Sequence, residues 1–462
     1  MTDAPILALE NARISYFTRA GEVNVIPGLT FALAAGEAMG LVGESGCGKS
    51  TVALAIVRYL GRAGRIVGGR ILFEGRDVAG LTSEALRAMR GRRVAMVYQD
   101  PMASLNPVMT VGRQLMEVPM LHEGLDERAA RARALEMLAE VKLLDGESML
   151  TRYPHQLSGG QQQRIVIAMA LIAEPALLIM DEPTTGLDVT VEAAVLDLVR
   201  ELRHRHGTSV LFISHNLGTV VRVCDRIGVM YAGELVEEGS IRQVFANPRH
   251  PYTRGLLDCL PALGRDKRQT PLVPIPGQVA PALARPAGCG FAPRCAHVEP
   301  GRCTSQAIPV LPVADEPGHA AQCVRAAELP RWERRRAAAD VVAERRPGEV
   351  ALRVEGLEKL YRPRRGLFGS GPAPVRALNG ITFVVTKGET LAIVGESGCG
   401  KSTLAKVLSG LETASAGRVE IGGTEVASMR VESRPLSLRR TIQMVFQNPD
   451  STLNPSHSVG YA

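Results

Sequence analysis

The ten residues VGESGCGKST occur twice in this chain, at 42–51 and again at 394–403. A second motif follows each copy at nearly the same distance, because MVYQDPMASLNP at 96–107 returns as MVFQNPDSTLNP at 444–455. Two motifs repeated in the same order indicate a duplicated domain. We therefore expect that a domain starting near residue 5 begins again near residue 350.

Short apolar runs alternate with helix-like segments throughout the first copy. The runs are EAMGLVG, RVAMVYQ, ALLIMDEP and SVLFISH, and STVALAIVRYL is typical of a helix. This alternation predicts an α/β domain with a largely parallel core sheet. The stretch MYAGELVEEGS, which ends the domain near residue 245, predicts turn-rich β structure.

The first repeated motif fits the pattern G-x-x-x-x-G-K-[ST], between an apolar strand and a helix. Its glycines let backbone N–H groups wrap a phosphate chain at the positive end of the helix. Lys49 is then expected to reach the β- and γ-phosphates of ATP, and the Ser50 hydroxyl to bind Mg²⁺. The alternative is a glycine-rich turn that opens an ordinary helix. The expected phosphate-binding residues are Gly43, Ser45, Gly46, Gly48, Lys49, Ser50 and Thr51.

Two carboxylates end the apolar run ALLIMDEP. Asp181 is expected to hold Mg²⁺, usually through water, because this ion keeps much of its hydration shell. Glu182 is then placed to polarise the attacking water as a general base. By itself, an acidic pair after a strand is weak evidence for an ATPase site. Downstream of a phosphate-binding loop, the same pair is strong evidence for one.

The segment LSGGQQQR at 157–164 is a second anion cradle, and one nucleotide does not need two cradles in one domain. With it, the chain resembles the ATP-binding subunit of ABC transporters. The resemblance implies a P-loop NTPase fold with a mainly parallel core sheet, an antiparallel β subdomain and a helical subdomain. In that family the signature loop, here Ser158, Gly159, Gly160 and Gln161, caps the γ-phosphate of an ATP held by the partner domain.

Other family positions also match by order and spacing. The resemblance implies that Gln99 senses Mg²⁺ and contacts the membrane subunit, that Asp188 belongs to the D-loop, and that His215 contacts the γ-phosphate. Tyr16 matches the aromatic residue that stacks on adenine, with Phe17 as the alternative.

Residues 246–325 form a region rich in proline and cysteine, which begins with NPRHPYTRGLLDCLP and continues to GCGFAPRC. It resembles the carboxyl-terminal extension of the oligopeptide/dipeptide branch of ABC importers, which includes nickel and glutathione importers. In some members the cysteines hold a 4Fe–4S cluster. Cysteines in such a cytosolic segment favour a metal or cluster over disulfides, although zinc and plain buried thiols remain open. The cysteines concerned are Cys289, Cys295, Cys303 and Cys323.

Residues 350–462 contain the second phosphate-binding loop and the second Q-loop motif but no second signature or carboxylate pair. We expect an incomplete ATPase domain that binds ATP and does not hydrolyse it unaided. Either the chain is a fragment of a longer fused ATPase, which we favour, or the first domain pairs with another ATPase domain. The expected nucleotide-binding residues are Tyr361, Gly395, Gly398, Gly400, Lys401, Ser402, Thr403 and Gln447.

We expect the chain to be kept in the cytoplasm. The residues MTDAPILALENARIS do not have the pattern of a signal peptide, and no apolar run in the sequence is long enough to span a bilayer. The net charge is +7, but the densest basic run, at 331–346, is interspersed with acidic residues and is typical of a solvated linker (326–349). We therefore do not expect nucleic acid as a partner.

The expected function is the energising ATPase of a peptide-type importer at the cytoplasmic face of a bacterial inner membrane. Its expected partners are two integral-membrane permease subunits, an extracytoplasmic substrate-binding protein, and a second ATPase domain in cis or in trans. One alternative is a soluble ABC protein that acts on ribosomes or DNA, which the Pro/Cys-rich region disfavours. Another is a nucleotide-binding protein without turnover.

Overall fold

A computed structural model of the chain describes residues 4–261, 272–314, 316–333, 348–362, 374–446 and 452–461. The chain divides into two compact units, Met1–Val341 and Val342–Ala462, here called the first unit and the second unit.

The first unit contains the following elements. Its strands are β1 (Leu7–Thr18), β2 (Gly21–Leu33), β3 (Ala38–Val42), β4 (Gly64–Phe73), β5 (Arg76–Asp77), β6 (Val94–Val97), β7 (Leu177–Asp181), β8 (Ser209–Ser214), β9 (Arg226–Tyr231), β10 (Glu234–Ser240), β11 (Leu311–Pro312) and β12 (Ala320–Ala321). Its helices are α1 (Lys49–Ile56), α2 (Ser83–Met89), α3 (Pro101–Ser104), α4 (Val111–Glu123), α5 (Glu127–Glu140), α6 (Gly146–Thr151), α7 (Gly159–Leu171), α8 (Val189–His206), α9 (Leu217–Val223), α10 (Ile241–Ala246) and α11 (Pro251–Asp258).

The strands form two sheets. One is antiparallel, in the order β2-β1-β4-β5, and the other runs β11-β12-β10-β9-β3-β8-β7-β6. In the larger sheet, β9, β3, β8, β7 and β6 are parallel, and β10 and β12 pair antiparallel at one side. The predicted parallel core sheet is therefore confirmed, as is the β structure predicted for MYAGELVEEGS, which forms the β9–β10 hairpin.

The parallel strands are buried on both faces, which explains why their sequences are continuous apolar runs instead of alternating ones. Successive residues of β3 point to opposite sides, so Leu41 packs in one hydrophobic cluster and Val42 in the other. All five residues of β3 are buried. A rigid strand thus leads directly into the phosphate-binding loop.

A helical layer lies between β6 and β7 in the sequence. Helix α4 packs against α5, α6 and α7. Side chains cap its first two long helices, since Thr110 accepts a hydrogen bond from the backbone of Arg113 and Asp126 accepts one from Ala129. Gly124, with φ of 70°, ends α4 in the left-handed conformation typical of a helix terminus. This layer is the helical subdomain that the resemblance implied.

The Pro/Cys-rich region packs onto the first ATPase domain and belongs to the same unit. Tyr252, Phe291 and Ile308 from this region join the hydrophobic cluster that also contains Tyr231 and Val236. Strand β12 extends the larger sheet by pairing with β10. The region is therefore continuous with the core and not a separate appendage.

The second unit repeats only part of this architecture within its described residues. Its elements are β13 (Val350–Tyr361), β14 (Val375–Thr386), β15 (Ala416–Ile421), β16 (Thr424–Glu425), α12 (Lys401–Ser409) and α13 (Leu436–Thr441). The sheet order β14-β13-β15-β16 matches β2-β1-β4-β5 of the first unit. Residues 390–394, which correspond to β3, are not assigned to a strand and are exposed. Among the described residues of this unit, no strand equivalent to β3 forms, because no neighbouring strand pairs with residues 390–394.

Candidate nucleotide-binding site

The site lies where parallel strands end. Gly43 follows β3, Glu182 follows β7, His215 follows β8, and Gln99 lies two residues beyond β6. Carboxyl ends of neighbouring parallel strands share one edge of a sheet, which is where open α/β sheets bind ligands. Residues that are far apart in the sequence therefore converge.

The phosphate-binding loop is built on backbone geometry that glycine permits. Gly48, with φ of 99°, precedes α1, and Gly46 has φ of 80° at the loop tip. A Cβ atom on Gly43 would lie 2.2 Å from the carbonyl oxygen of Met230. Lys49 folds back onto the loop, where its Nζ donates to the carbonyl oxygens of Gly43 at 2.8 Å and Glu44 at 3.1 Å. Its ammonium is thus held at the mouth of the loop.

Ser50 and Thr51 lie in the first turn of α1, and Ser45 lies in the loop before Gly46. The Ser50 side chain lies beside the carboxylate of Asp181 and favours its charged form. Burial raises the pKa of Asp181, and the nearby Ser50 and Lys49 only partly offset this effect. One carboxylate oxygen of Asp181, Oδ1, is buried and has no hydrogen-bond partner. An orphaned carboxylate oxygen beside a serine hydroxyl fits the oxygen ligands that Mg²⁺ prefers.

Glu182 is the centre of a polar network. Its Oε2 accepts hydrogen bonds from Gln99 Nε2 at 3.1 Å and from the hydroxyl of Thr185 at 3.2 Å. Its Oε1 lies 3.1 Å from Nδ1 of His215. The backbone of Glu182 has φ of 48°, a conformation uncommon outside glycine and asparagine. This turn directs the carboxylate away from the strand and toward Gln99 and His215.

The signature residues lie at a different helix terminus. Ser158 is the N-cap of α7, and its side chain and that of Gln161 form a reciprocal capping box. Gly159 and Gly160 form the first turn, and a Cβ atom on Gly160 would lie 2.6 Å from Val191. Asp188 caps α8 by accepting from the backbone of Val191 at 3.0 Å.

The two aromatic residues predicted to stack on adenine, Tyr16 and Phe17, lie near the end of β1. Tyr16 is half-buried and faces Gly64, where a Cβ atom would lie 2.9 Å from the tyrosine ring. Phe17 is exposed, with the guanidinium of Arg65 6.0 Å from its ring centre. The choice between the two aromatic residues stays a prediction.

The second phosphate-binding loop has the same local form. Gly398 and Gly400 have φ of 84° and 101°, and Lys401 donates to the carbonyl oxygens of Gly395 and Glu396 at 2.7 and 2.6 Å. Ser402 and Thr403 follow in α12.

Two further predictions concern this copy. Tyr361 ends β13, with the ammonium of Lys359 5.1 Å from its ring centre. Gln447 lies outside the described residues. The nucleotide-binding roles of Tyr361 and Gln447 stay predictions.

The four cysteines of the Pro/Cys-rich region line one small cavity of about 20 Å³, together with His250. A space of this size holds about one water molecule and is too small for a 4Fe–4S cluster. Burial raises the pKa of Cys289 to about 11 and also raises the pKa of Cys295 and Cys323, which disfavours the thiolates that bind metals.

The described residues contain no group of three or more His, Cys, Asp or Glu side chains placed to hold a metal ion. The structure therefore does not support the predicted cluster. All eight cysteines of the chain are free thiols.

Sequence reasoning missed three residues at this site. Thr185 lies three residues after Glu182, and its hydroxyl contacts the Glu182 carboxylate. Tyr252 and Arg294 lie in the segments NPRHPYTRGLLDCLP and GCGFAPRC, and both contact Glu44 in the phosphate-binding loop. No spacing rule links Glu44 to Tyr252 and Arg294, which lie 208 and 250 positions away, so only the folded chain could reveal these two contacts.

Comparison with known proteins identifies two families along the chain. A family model described as "ABC transporter" matches residues 26–185 and 378–461. A second, described as "Oligopeptide/dipeptide transporter, C-terminal region", matches residues 236–303. Where the structure describes the chain, no helix has the length and apolar character needed to cross a membrane.

Three relatives illustrate the similarity. The Mycobacterium tuberculosis oligopeptide transport ATP-binding protein OppD is 41% identical over 98% of this chain and 74% of its own length. The Pectobacterium atrosepticum glutathione import ATP-binding protein GsiA is 38% identical over 97% of this chain and 65% of its own length. A probable peptide ABC transporter ATP-binding protein of Sinorhizobium fredii is 45% identical over 70% of this chain and 96% of its own length.

Proposed function

The chain belongs to the ABC transporter family of ATP-hydrolysing, ATP-binding subunits, and we propose that it powers the import of peptides or related small molecules. The observation that carries the proposal is the convergence of Gln99, Thr185 and His215 on the carboxylate of Glu182, at the same sheet edge as the phosphate-binding loop. A general base must be held in place by groups within hydrogen-bond distance, and the Glu182 carboxylate has three such groups around it.

The phosphate-binding loop would hold ATP in the first unit. Backbone N–H groups from Gly46 to Thr51 would surround the β- and γ-phosphates at the amino terminus of α1. Lys49 would exchange its two carbonyl contacts for phosphate oxygens. Mg²⁺, held by Ser50 and Asp181 with Gln99 nearby, would neutralise charge that develops on the phosphates.

Glu182 would accept a proton from the water that attacks the γ-phosphate. His215 and Gln99 both contact the Glu182 carboxylate. They would therefore keep this carboxylate in place relative to the γ-phosphate. Proton transfer by a positioned base contributes typically about 10²–10⁴ in rate, so the carboxylate should dominate turnover.

A second ATPase domain would complete the site. Ser158, Gly159 and Gly160 lie at a helix terminus distinct from that of the phosphate-binding loop. We propose that they face an ATP held by another ATPase domain, which would be supplied in cis by the second copy or in trans by another chain. Asp188 would lie at the same junction.

The partners would be permease subunits and a substrate-binding protein, with this chain at the cytoplasmic face of the membrane. The match of residues 236–303 to the oligopeptide/dipeptide transporter region supports this substrate class. The names of the similar proteins, which refer to oligopeptides and glutathione, support it as well.

The test uses the full chain with a substitution that replaces one carboxylate oxygen of Glu182 with an amide nitrogen. Glu182→Gln should lower ATP turnover at least about a hundredfold while leaving ATP binding in place, because the amide keeps the shape but cannot accept the proton. Glu201→Gln, on the exposed face of α8, is the matched control and should leave turnover unchanged. Turnover that persists in Glu182→Gln would reject the proposed base.

Transport is tested separately from turnover. The chain should restore uptake of a labelled peptide when it is co-expressed with the permease and substrate-binding subunits of a peptide importer, and Glu182→Gln should not. ATP turnover without uptake of any peptide or glutathione in that system would reject the substrate class while leaving the ATPase assignment intact.

Whether the four cysteines around the cavity bind a 4Fe–4S cluster can be measured directly. Iron and sulfide analysis of anaerobically purified chain, with its absorbance spectrum, reports directly on a 4Fe–4S cluster. A colourless, iron-free and folded sample would agree with the buried thiols described above. Stoichiometric iron and sulfide would show that the four cysteines rearrange around a cluster.

A further inference from the structure

One residue of the phosphate-binding loop, Glu44, is held by the Pro/Cys-rich region. Its backbone N–H donates to the phenol oxygen of Tyr252 at 2.8 Å. Its carboxylate accepts two hydrogen bonds from Arg294, at 2.7 and 3.0 Å. Its carbonyl oxygen is one of the two that hold the ammonium of Lys49. All three polar groups of Glu44 are therefore engaged, two by the added region and one by the lysine that would bind phosphate.

The guanidinium of Arg294 is buried and held on every side, with the residue only 9% exposed. Its Nε donates to the carbonyl oxygen of Pro276 at 2.8 Å, and Nη1 also lies 3.3 Å from the phenol oxygen of Tyr231. The paired contact with Glu44 raises the pKa of Arg294 further above its ordinary range. A two-pronged arginine–carboxylate pair fixes direction as well as distance. Arg294 therefore has little freedom to release Glu44 while the region stays folded.

Tyr252 is equally constrained. The residue is fully buried, and its ring packs edge-on against Tyr231 at 4.7 Å and near Phe291 at 5.4 Å. Its backbone N–H donates to Nδ1 of His250. Burial raises the pKa of the Tyr252 phenol, so the hydroxyl stays protonated at physiological pH. The phenol oxygen is thus a neutral, stationary acceptor for the backbone of Glu44.

The Arg294–Glu44 pair is a weak source of stability, because the Arg294 side chain is buried and its desolvation offsets much of its attraction to the partly exposed Glu44 carboxylate. The pair Arg294–Glu44 is therefore better explained by what it positions. Glu44 and Gly43 supply the carbonyl oxygens that hold Lys49, and a shift of about 1 Å in such a support can cost roughly a hundredfold in rate.

We propose that Tyr252 and Arg294 are positioning residues of the nucleotide site: through Glu44 they set the place of the loop that presents Lys49 to the phosphates. The Pro/Cys-rich region is then a working part of the ATP site and not only a marker of the transporter branch. This inference rests on the proposed function, since it concerns the same ATP site.

The test compares variants of the full chain that differ only in the loop contact. Arg294→Met and Tyr252→Phe each remove a contact with Glu44. Arg285→Met is the matched control, because Arg285 docks the same region through the carbonyl oxygens of Val25 and Ala232 and does not touch the loop. Nucleotide affinity is measured with a fluorescent ATP analogue, and KM and kcat for ATP are measured in parallel, with thermal unfolding of every variant.

Arg294→Met should weaken nucleotide binding about tenfold or more and raise KM similarly, because it leaves the carboxylate of Glu44 without its partner. Arg294→Lys should recover part of the loss, since it restores the charge but not the paired geometry. The double variant Glu44→Gln/Arg294→Met should bind more tightly than Arg294→Met alone, because no carboxylate is stranded. Tyr252→Phe should change KM in the same direction, and Arg285→Met should stay within twofold of the original chain.

Unchanged affinity and KM in both Arg294→Met and Tyr252→Phe would overturn the proposal, as would equal losses in Arg294→Met and Arg285→Met. If Arg294→Met does not fold, Tyr252→Phe decides the matter, because it removes one oxygen and keeps the ring packing. Affinity is measured without turnover, so an inactive chain would reject the proposed ATPase function and still leave this inference tested.

Discussion

The two copies of VGESGCGKST have identical sequences and nearly identical loops but different surroundings. The glycines before the lysines have φ of 99° and 101°, and both lysines fold back onto the first two carbonyl oxygens of their loops. The preceding strand residue Leu41 is fully buried, whereas its counterpart Ile393 is 47% exposed. Ten residues therefore determine the shape of the loop but not the sheet that supports it.

The first loop also has a support that is not part of the repeat. Tyr252 and Arg294 come from the Pro/Cys-rich region, which is continuous with the core of the first unit. The first loop is thus supported by its own strand on one side and by an added region on another. Three experiments compare the two copies directly.

Truncating the strand residue before each loop should give the largest difference. Leu41→Ala should destabilise the first unit by about 2–5 kcal/mol, because it leaves a cavity in a core that packs on both faces of the sheet. Ile393→Ala should cost well under that in the second unit, because about half of its surface already faces solvent. Hydrogen exchange of peptides from each unit, in the full chain under mild denaturant, separates the two effects.

Equal losses would contradict the structure, since they would mean that Ile393 is buried by strand partners in solution. Val108→Ala, at an exposed position of the first unit, provides a baseline for a truncation that opens no cavity.

The cysteine at the same place in each motif should give the next largest difference. Cys47 is 2% exposed and burial raises its pKa, whereas Cys399 is exposed. Since the thiolate is the reactive form, Cys399 should react with a maleimide about tenfold faster or more. Mass spectrometry of the two peptides after timed labelling reports both rates in one sample, and urea-unfolded chain is the control in which the rates should become equal. Similar rates in the folded chain would show that the two loops are equally sheltered.

The smallest effect concerns pH and should appear in the first unit alone. His319 is buried between Glu237 and Glu316; burial acts against its charge, but hydrogen bonds to both carboxylates prevail and raise its pKa. A raised pKa means that this contribution to stability is fully present below the pKa of the unfolded chain. It is lost as pH rises through the folded value. The melting temperature of the first unit should therefore fall as pH rises above about 6.5, the ordinary pKa of histidine.

His319→Gln should flatten that dependence, and His204→Gln, at an exposed position of α8, should not. A pH dependence that is the same in His319→Gln as in the original chain would assign the effect to other groups. The second unit does not contain the Pro/Cys-rich region with His319, so its melting temperature should not show the same dependence on pH.

Much of the fold and site could be predicted from the sequence because the signals are local. The strand before Gly43, the helix after it and the carboxylates at the end of β7 each depend on a short run of residues and on backbone preferences. The meeting of Gln99, Glu182 and His215 could be anticipated from the order of motifs, since parallel strands bring their carboxyl ends together. The role of each residue in turnover still stays a prediction.

The remaining features depend on contacts between distant segments. The cysteine spacing allowed a cluster, but the fold packs these thiols around a cavity of only about 20 Å³. The same ten residues follow an apolar run in both copies, but a strand forms only where neighbours supply hydrogen bonds, and only β3 has β8 and β9 beside it among the described residues.

The motif VGESGCGKST by itself determined two phosphate-binding loops, because glycine positions and a helix start are set by interactions within about ten residues. Only the tertiary structure decided that the first loop follows a buried strand and is held at Glu44 by Arg294 from 250 positions away. The physical reason is that burial and long-range ion pairs are properties of the packed surroundings, and two identical sequences can have different ones.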